Sequence, residues 1–325
     1  MTGNSNRREF VQAATLAASG LLTAAQSATA APEPPAVPRS MGARFRTLMN
    51  GPEPLICPGA YDILSARLCA FHGFNGAFIG SSVINQAFAG QPDQAIVTVS
   101  EIVEYDSVIA SNVDIPILAD VDDFGATPLN VYRFAKQAER GGIGCAAFDD
   151  RMPMNRATNY AVPGSMPTAR MIDNIHAAAD ARTDMVIIAR CLAPDRAEML
   201  ERAAAYAEAG ADAIWITLPA PQDYARAAGM ISKPLMAGVG NARVPATAEA
   251  MKAGRITIGQ AVTMVNIALG GVDRALAELK STGRMAEAQR TALSRQTSEK
   301  IEQVAELNAR SRKYNLPGGG SPDER

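Results

Sequence analysis

Five carboxylates and one guanidinium stand at the ends of short apolar runs in this chain. Asp62 follows PLICPGA (54–60), Asp120 and Asp122 close IPILADVD (115–122), Asp149 and Asp150 close GCAAFDD (144–150), and Arg190 closes DMVIIAR (184–190). Gly80-Ser81-Ser82 end GAFIGSS (76–82), and Thr217 ends ADAIWIT (211–217). Carboxylates gathered in one place repel unless a cation sits among them. Oxygen-only ligation suits Mg²⁺ or Mn²⁺, with waters completing the octahedron. The chain has only two histidines, His72 and His176, so a multi-histidine metal centre is excluded. Asp120 and Asp122, two apart on an extended segment, share one face and are the first metal candidates. Asp123 and Asp150 are expected to cap the helices that follow them. A guanidinium emerging from VIIAR offers a fixed fork for a substrate carboxylate. The four cysteines (Cys57, Cys69, Cys145, Cys191) lack CxxC spacing and read as small buried hydrophobes.

These groups need a frame that brings run ends together. Eight apolar runs recur: the six already named (54–60, 76–82, 115–122, 144–150, 184–190 and 211–217), KPLMAGV (233–239) and RITIG (255–259). Continuous apolar runs of this length suit parallel strands covered on both faces. Helical periods lie between them, as in LNVYRFAKQAERGG (129–142) and RAEMLERAAAYAEAG (196–210). Eight such units predict a (β/α)₈ TIM barrel over residues 45–281, whose catalytic groups sit at the C-terminal strand ends. A doubly wound open sheet is the alternative, but no Gly-rich dinucleotide fingerprint follows the first strand. Two additional C-terminal helices are expected after Gly271, with the extension over 282–315 and a frayed tail over 316–325. Trp215, within the sixth run, is expected at the interface of barrel and helices.

The chain opens MTGNSNRREFVQAATLAASGLLTAAQSATA. A basic start, an uncharged Ala-rich stretch and a small-residue site at Ala28-Thr29-Ala30 have the order of a cleavable export signal. Arg7-Arg8 with Phe10 two places on resembles a twin-arginine address, which predicts a periplasmic protein without a stable membrane anchor. The stretch carries Gln12, Ser19, Thr23, Gln26 and Ser27, too polar for a bilayer core. Residues 31–44 read as a Pro-rich linker. The net charge of −2 gives no basic surface for nucleic acid.

The pieces PGAYDILSARL (58–68), ILADVDDFGATPLNVYR (117–133), DMVIIAR and AAAYAEAGADAIWI (203–216), in this order, resemble the isocitrate lyase/phosphoenolpyruvate mutase superfamily over residues 45–285. The resemblance implies a Mg²⁺-dependent barrel acting on 2-oxo acids or related small carboxylates. It also implies a homotetramer with exchanged C-terminal helices. It makes Asp120 the direct metal ligand and Asp62, Asp122 and Asp149 its water-mediated partners. Gly80, Ser81 and Ser82 would receive the substrate carboxylate through backbone amides, and Arg190 would bind its other oxygens. The chemistry so implied is cleavage of a C–C bond by a lyase or decarboxylase, with metal chelation stabilising the enolate. Such a site needs no organic cofactor.

The departures concern the substrate side. The lyase branch carries a Lys-Lys/Arg-Cys-Gly-His loop, which by spacing falls on Asn155-Arg156-Ala157-Thr158-Asn159. Without the thiol and the histidine, thiol-dependent isocitrate or methylisocitrate cleavage is not expected, and Arg156 is kept as a substrate-binding candidate. Phe78 replaces a Tyr, Gly80 a Ser, Asp149 a Glu, Thr217 a Glu and Gly238 an Asn of the family pattern. Thr217 is kept as a substrate-side candidate. Two other readings stay open: a C–C or C–P hydrolase or mutase, and a non-catalytic periplasmic carboxylate-binding relative.

Overall fold

The computed structural model describes residues 40–94, 96–125, 127–152, 164–261, 264–314 and 316. The expected export signal (residues 1–30), Arg156 and nearly all of the expected C-terminal tail lie outside the described residues. All eight expected strands form: β1 (Leu55–Ala60), β2 (Ala77–Ile79), β3 (Ile117–Asp120), β4 (Cys145–Asp149), β5 (Val186–Arg190), β6 (Ala213–Trp215), β7 (Leu235–Val239) and β8 (Ile256–Ala261). They pair in parallel in sequence order and close, β1 against β8, into a (β/α)₈ barrel.

Side-chain alternation divides each strand between two cores. Cys57, Phe78, Leu118, Ala147, Ile188, Trp215, Met236 and Ile258 fill the barrel interior. Their strand neighbours, such as Ile79, Ala119, Ala146, Ile187, Ile214 and Ala237, face the surrounding helices. Two residues further along, the inward row emerges at the C-terminal mouth as Gly80, Asp120, Asp149, Arg190, Gly238 and Gln260. The strand register puts Asp149 beside Arg190, Arg190 beside Trp215, and Gly238 beside Gln260. Trp215 is therefore a correction to the sequence reading. Its ring points into the barrel rather than toward the helices, because position 215 shares the parity of Ala213.

The helices are α1 (Met41–Met49), α2 (Ile63–Phe71), α3 (Ser81–Ala87), α4 (Val99–Ala110), α5 (Pro128–Arg140), α6 (Thr168–Ala181), α7 (Arg196–Glu208), α8 (Pro221–Ala227), α9 (Ala248–Gly254), α10 (Met264–Thr282), α11 (Ala286–Arg290), α12 (Arg295–Ile301) and α13 (Val304–Lys313). Helix α1 starts inside the stretch expected as linker, because Ser40 caps it by accepting from the Ala43 amide. It plugs the interior opposite the mouth with Phe45 and Met49. Arg46 pairs with Asp212 ahead of β6 at 2.5 Å, and Arg182 binds the same carboxylate. Gly42 permits this close approach: a Cβ there would lie 2.6 Å from the Asp184 carbonyl carbon and oxygen. Gly42→Ala is expected to cost roughly 1–3 kcal/mol in chemical denaturation by forcing the plug outward.

Beyond the barrel, the expected pair of C-terminal helices becomes four among the described residues. Helix α10 runs unbroken to Thr282, and the chain then turns at Gly283, whose φ is +70°. The three short helices α11 to α13 follow, of which α12 packs against α2 through a bond from Arg67 Nη1 to the Ile301 carbonyl at 3.0 Å.

Candidate active site

The mouth holds a cavity of about 200 Å³ lined by Phe78, Gly80, Ser81, Ser82, Asp93, Asp120, Asp122, Arg151, Arg190, Trp215 and Gln260. Asp120 ends β3 and is buried. Burial pushes its carboxyl up to about 6; the Arg190 guanidinium opposes that shift, and Asp149 adds to it. Asp122 does not continue the strand as the sequence reading assumed. Its φ is +52°, and Phe124 at +53° and Gly125 at +95° follow in the same loop. Two non-glycine residues in the left-handed region within three positions are costly, and such strain is kept where a surrounding network fixes it. Here Ser81 Oγ donates to Asp122 Oδ1 at 2.8 Å, and the Asp149 amide donates to the Asp122 carbonyl at 2.7 Å. The turn brings Asp122 back over the mouth, so both carboxylates face one cavity although the extended-segment argument fails.

Arg190 is held on two sides. Its guanidinium carbon lies 3.8 Å from the centre of the Trp215 ring, and Nη1 donates to Asp120 Oδ2 at 3.3 Å. Trp215 in turn meets Phe78 edge-on, ring centres 5.9 Å apart. The buried Nε of Arg190 has no hydrogen-bond partner among the described residues. An unsatisfied charged donor in such a place costs free energy unless a ligand takes it up. Asp149, also buried, accepts from the Arg151 amide at 3.1 Å and pairs with the Arg151 guanidinium at 3.6 Å. Helix α3 begins at Ser81 with no side-chain cap at Gly80, which leaves its first amides at the cavity wall.

The other sequence candidates separate. Asp62 caps α2, accepting from the Ser65 amide at 2.7 Å, and is not among the residues that line the cavity. Thr217 is exposed and lines a neighbouring cavity. Arg156 lies outside the described residues. Asp123 accepts from the Gly125 amide at 2.9 Å, which tightens the loop rather than capping a helix. Asp150 likewise caps no helix: fully buried, it accepts from Tyr206 Oη and from the Leu192 amide, both at 2.8 Å. Burial raises its pKa, and these donors oppose the rise. Tyr206→Phe is expected to lower stability by about 1–3 kcal/mol in urea titration and to leave metal affinity unchanged, because the network stands behind the site. All four cysteines are buried and free.

Sequence reasoning missed Gln260, Asp93 and Arg151 as cavity residues. Gln260 carried a readable signal, being two positions beyond the inward-facing Ile258. The expected run stopped one residue short of it, at Gly259.

Among the described residues, no three histidine, cysteine or acidic side chains stand close enough to ligate one ion directly.

The family model described as phosphoenolpyruvate phosphomutase matches residues 45–280, the barrel and most of α10. The chain belongs to this family. A Corynebacterium glutamicum protein named "Probable 2-methylisocitrate lyase 2" is 28% identical over 249 residues, 74% of this chain and 80% of that one. The oxaloacetate decarboxylase of Chromohalobacter salexigens is 33% identical over 174 residues, 52% of this chain and 60% of the decarboxylase. A solved structure of phosphonopyruvate hydrolase in complex with oxalate and Mg²⁺ superposes with a TM-score of 0.72 at 25% identity. It covers 85% of this chain and 99% of its own. This family member is thus similar to enzymes that carry out different bond cleavages on one barrel, and its own site must say which half of that chemistry it retains.

Proposed function

We propose that the chain is a Mg²⁺- or Mn²⁺-dependent lyase or decarboxylase acting on a C–C bond of a small 2-oxo or dicarboxylic acid. The observation that carries this reading is the pairing, in one cavity, of the buried carboxylates Asp120 and Asp122 with Arg190, whose buried Nε is unsatisfied. Asp120 would hold the ion directly, Asp122 and Asp149 would hold it through waters, and Asp62 would reach such a water only with the oxygen that its helix cap leaves free. The ion would bind the carbonyl and carboxylate oxygens of a 2-oxo acid and stabilise the charge that develops as the C–C bond breaks.

The protein's own residues do the rest. Ser81 holds the Asp122 carboxylate in place through its hydroxyl. The amides of Ser81 and Ser82 and the Arg190 fork offer donors to the substrate carboxylate. Phe78 and Trp215 keep water from its plane, which strengthens every charge interaction there. The likeness to phosphonopyruvate hydrolase, together with the lack of a thiol in the sequence 155–159, favours a C–C or C–P hydrolase or mutase as the second reading.

Oxalate tests the site without presuming the substrate, since this planar dianion matches the charge and shape of a pyruvate enolate. Calorimetry should show oxalate binding that requires Mg²⁺ and disappears with EDTA. Equal binding with and without the metal contradicts the reading.

Two further proposals concern the assembly and its location. Leu269, Val272, Leu276 and Leu279 form one stripe along α10 at alternating spacings of three and four, each 40–58% exposed. Val265 is the one buried residue of that helix among those described. A stripe of this spacing suits a second helix as partner, which supports a homotetramer with exchanged C-terminal helices. Leu276→Glu should lower the molar mass measured by light scattering; an unchanged mass would set the proposal aside. Residues 1–30 are proposed as a cleaved twin-arginine signal to the periplasm. Among the described residues, no helix is long and apolar enough to cross a membrane.

A further inference from the structure

A second cavity, of about 510 Å³, opens beside the first and shares Arg190, Trp215 and Gln260 with it. The two differ in charge. Asp93, Asp120 and Asp122 line the smaller one, whereas the larger has no carboxylate among its described lining residues and has two guanidinium groups, Arg190 and Arg243. A site divided in this way suits a ligand with one end that chelates a cation and another end that is an anion.

The turn carrying Arg243 is fixed through its backbone, with the Arg243 side chain exposed above it. Asn241 Oδ1 accepts from the amides of Arg243 and Val244, both at 2.9 Å, and Asn241 Nδ2 donates to the Gly238 carbonyl at 3.3 Å. The Gly240 amide closes the turn on the Val244 carbonyl at 2.9 Å, with φ at +79°. The Asn241 side chain is therefore committed to the turn, while Arg243 lines the cavity. The remaining walls combine the uncharged polar side chains of Thr217 and Gln260 with Trp215, Leu218, Tyr224 and Val244. Tyr224 spends its hydroxyl on the Leu218 amide and the Ile216 carbonyl, at 3.0 and 3.1 Å, and so presents its ring. On β7, Gly238 leaves the space next to Gln260 open: a Cβ there would come within 3.3 Å of Gln260 Nε2. A volume of this size is in the range of small-molecule sites and exceeds what a lone carboxylate needs.

We propose that this second cavity is the subsite for a distal carboxylate of the substrate, with Arg243 as its specificity-determining group. The substrate is then a dicarboxylate whose second acid group lies beyond the 2-oxo end, on a carbon chain long or branched enough to cross Trp215. The inference rests on the reading of the Asp120–Arg190 cavity as the site of the 2-oxo acid end. The guanidinium supplies a planar fork to the distal group, which an ammonium or amide does not reproduce.

The test compares 2-oxoglutarate with 2-oxopentanoate, which differ only in a distal carboxylate against a methyl group, by calorimetry with Mg²⁺ on the full chain. Oxalate, which fills the inner cavity alone, is the control. The wild type should bind 2-oxoglutarate about 10-fold or more tightly than 2-oxopentanoate, the size of one charge-assisted contact. In Arg243→Gln the two should agree within about twofold, with Arg243→Lys between and oxalate affinity unchanged in both variants. A wild type that binds the two acids equally, or a preference that survives in Arg243→Gln, overturns the proposal. Loss of Mg²⁺-dependent oxalate binding in the wild type overturns instead the reading of the inner cavity, and this inference with it.

Discussion

Asp120→Asn is expected to reduce metal-dependent turnover by about 10³-fold or more while leaving the metal-free protein at least as stable as the wild type. The two halves of this result have one cause. Burial raises the Asp120 carboxyl to about 6, although Arg190 stands 3.3 Å away, so desolvation outweighs the ion pair. A carboxyl whose folded pKa lies above its unfolded value of about 3.9 binds its proton more tightly in the native state. Its ionised form therefore weakens the metal-free fold above about pH 6. The penalty fades as pH falls through that value and is gone below about pH 4. With EDTA at pH 8, Asp120→Asn should melt higher than the wild type, by an amount on the order of a few degrees, and the two should converge at low pH. A variant that melts lower at pH 8, or that keeps wild-type turnover, contradicts the assignment of Asp120 as the ligand.

Arg190→Lys is expected to lower kcat/KM by roughly 10- to 100-fold and to leave bound metal unchanged. The guanidinium lies over the Trp215 ring while one Nη reaches Asp120, which leaves the other donors of the fork, the unsatisfied Nε among them, for substrate. A lysine keeps the charge but has neither the plane that stacks nor the second donor of the fork. Steady-state kinetics and metal analysis on the same samples separate the two functions. A kcat/KM within about twofold of the wild type would remove Arg190 from substrate binding, and a loss of metal would place its effect on Asp120 instead.

The barrel could be read from the sequence because each strand is a short apolar run buried on both sides, and eight such runs admit few arrangements. Much of the mouth could be read for a related reason. A strand alternates faces, so Asp120, Asp149 and Arg190 follow from Leu118, Ala147 and Ile188 by counting two. What failed was local. Asp122 leaves the strand through a left-handed turn whose cost is met by Ser81, on another element, and no spacing rule contains that contact. Asp62 could be placed at the end of β1, but whether its oxygens serve a helix cap or a cavity depends on side-chain geometry. Membership of the sixth run does not by itself say which face Trp215 takes, and strand parity with Ala213 puts it inside. Arg243 had no signature at all: its position depends on the side chain of Asn241, which shapes the turn beneath it.

Asp120 and its neighbours are expected to support metal-dependent cleavage of a carbon–carbon bond. The most direct test is to incubate the purified chain with Mg²⁺ and, separately, oxaloacetate, malates, substituted malates and phosphonopyruvate, and to follow the products by NMR. At least one of the carbon acids should be cleaved to a 2-oxo acid and a second fragment, and EDTA should stop the reaction. Cleavage of phosphonopyruvate alone, or metal-dependent binding of the carbon acids with no product from any of them, would contradict this expectation.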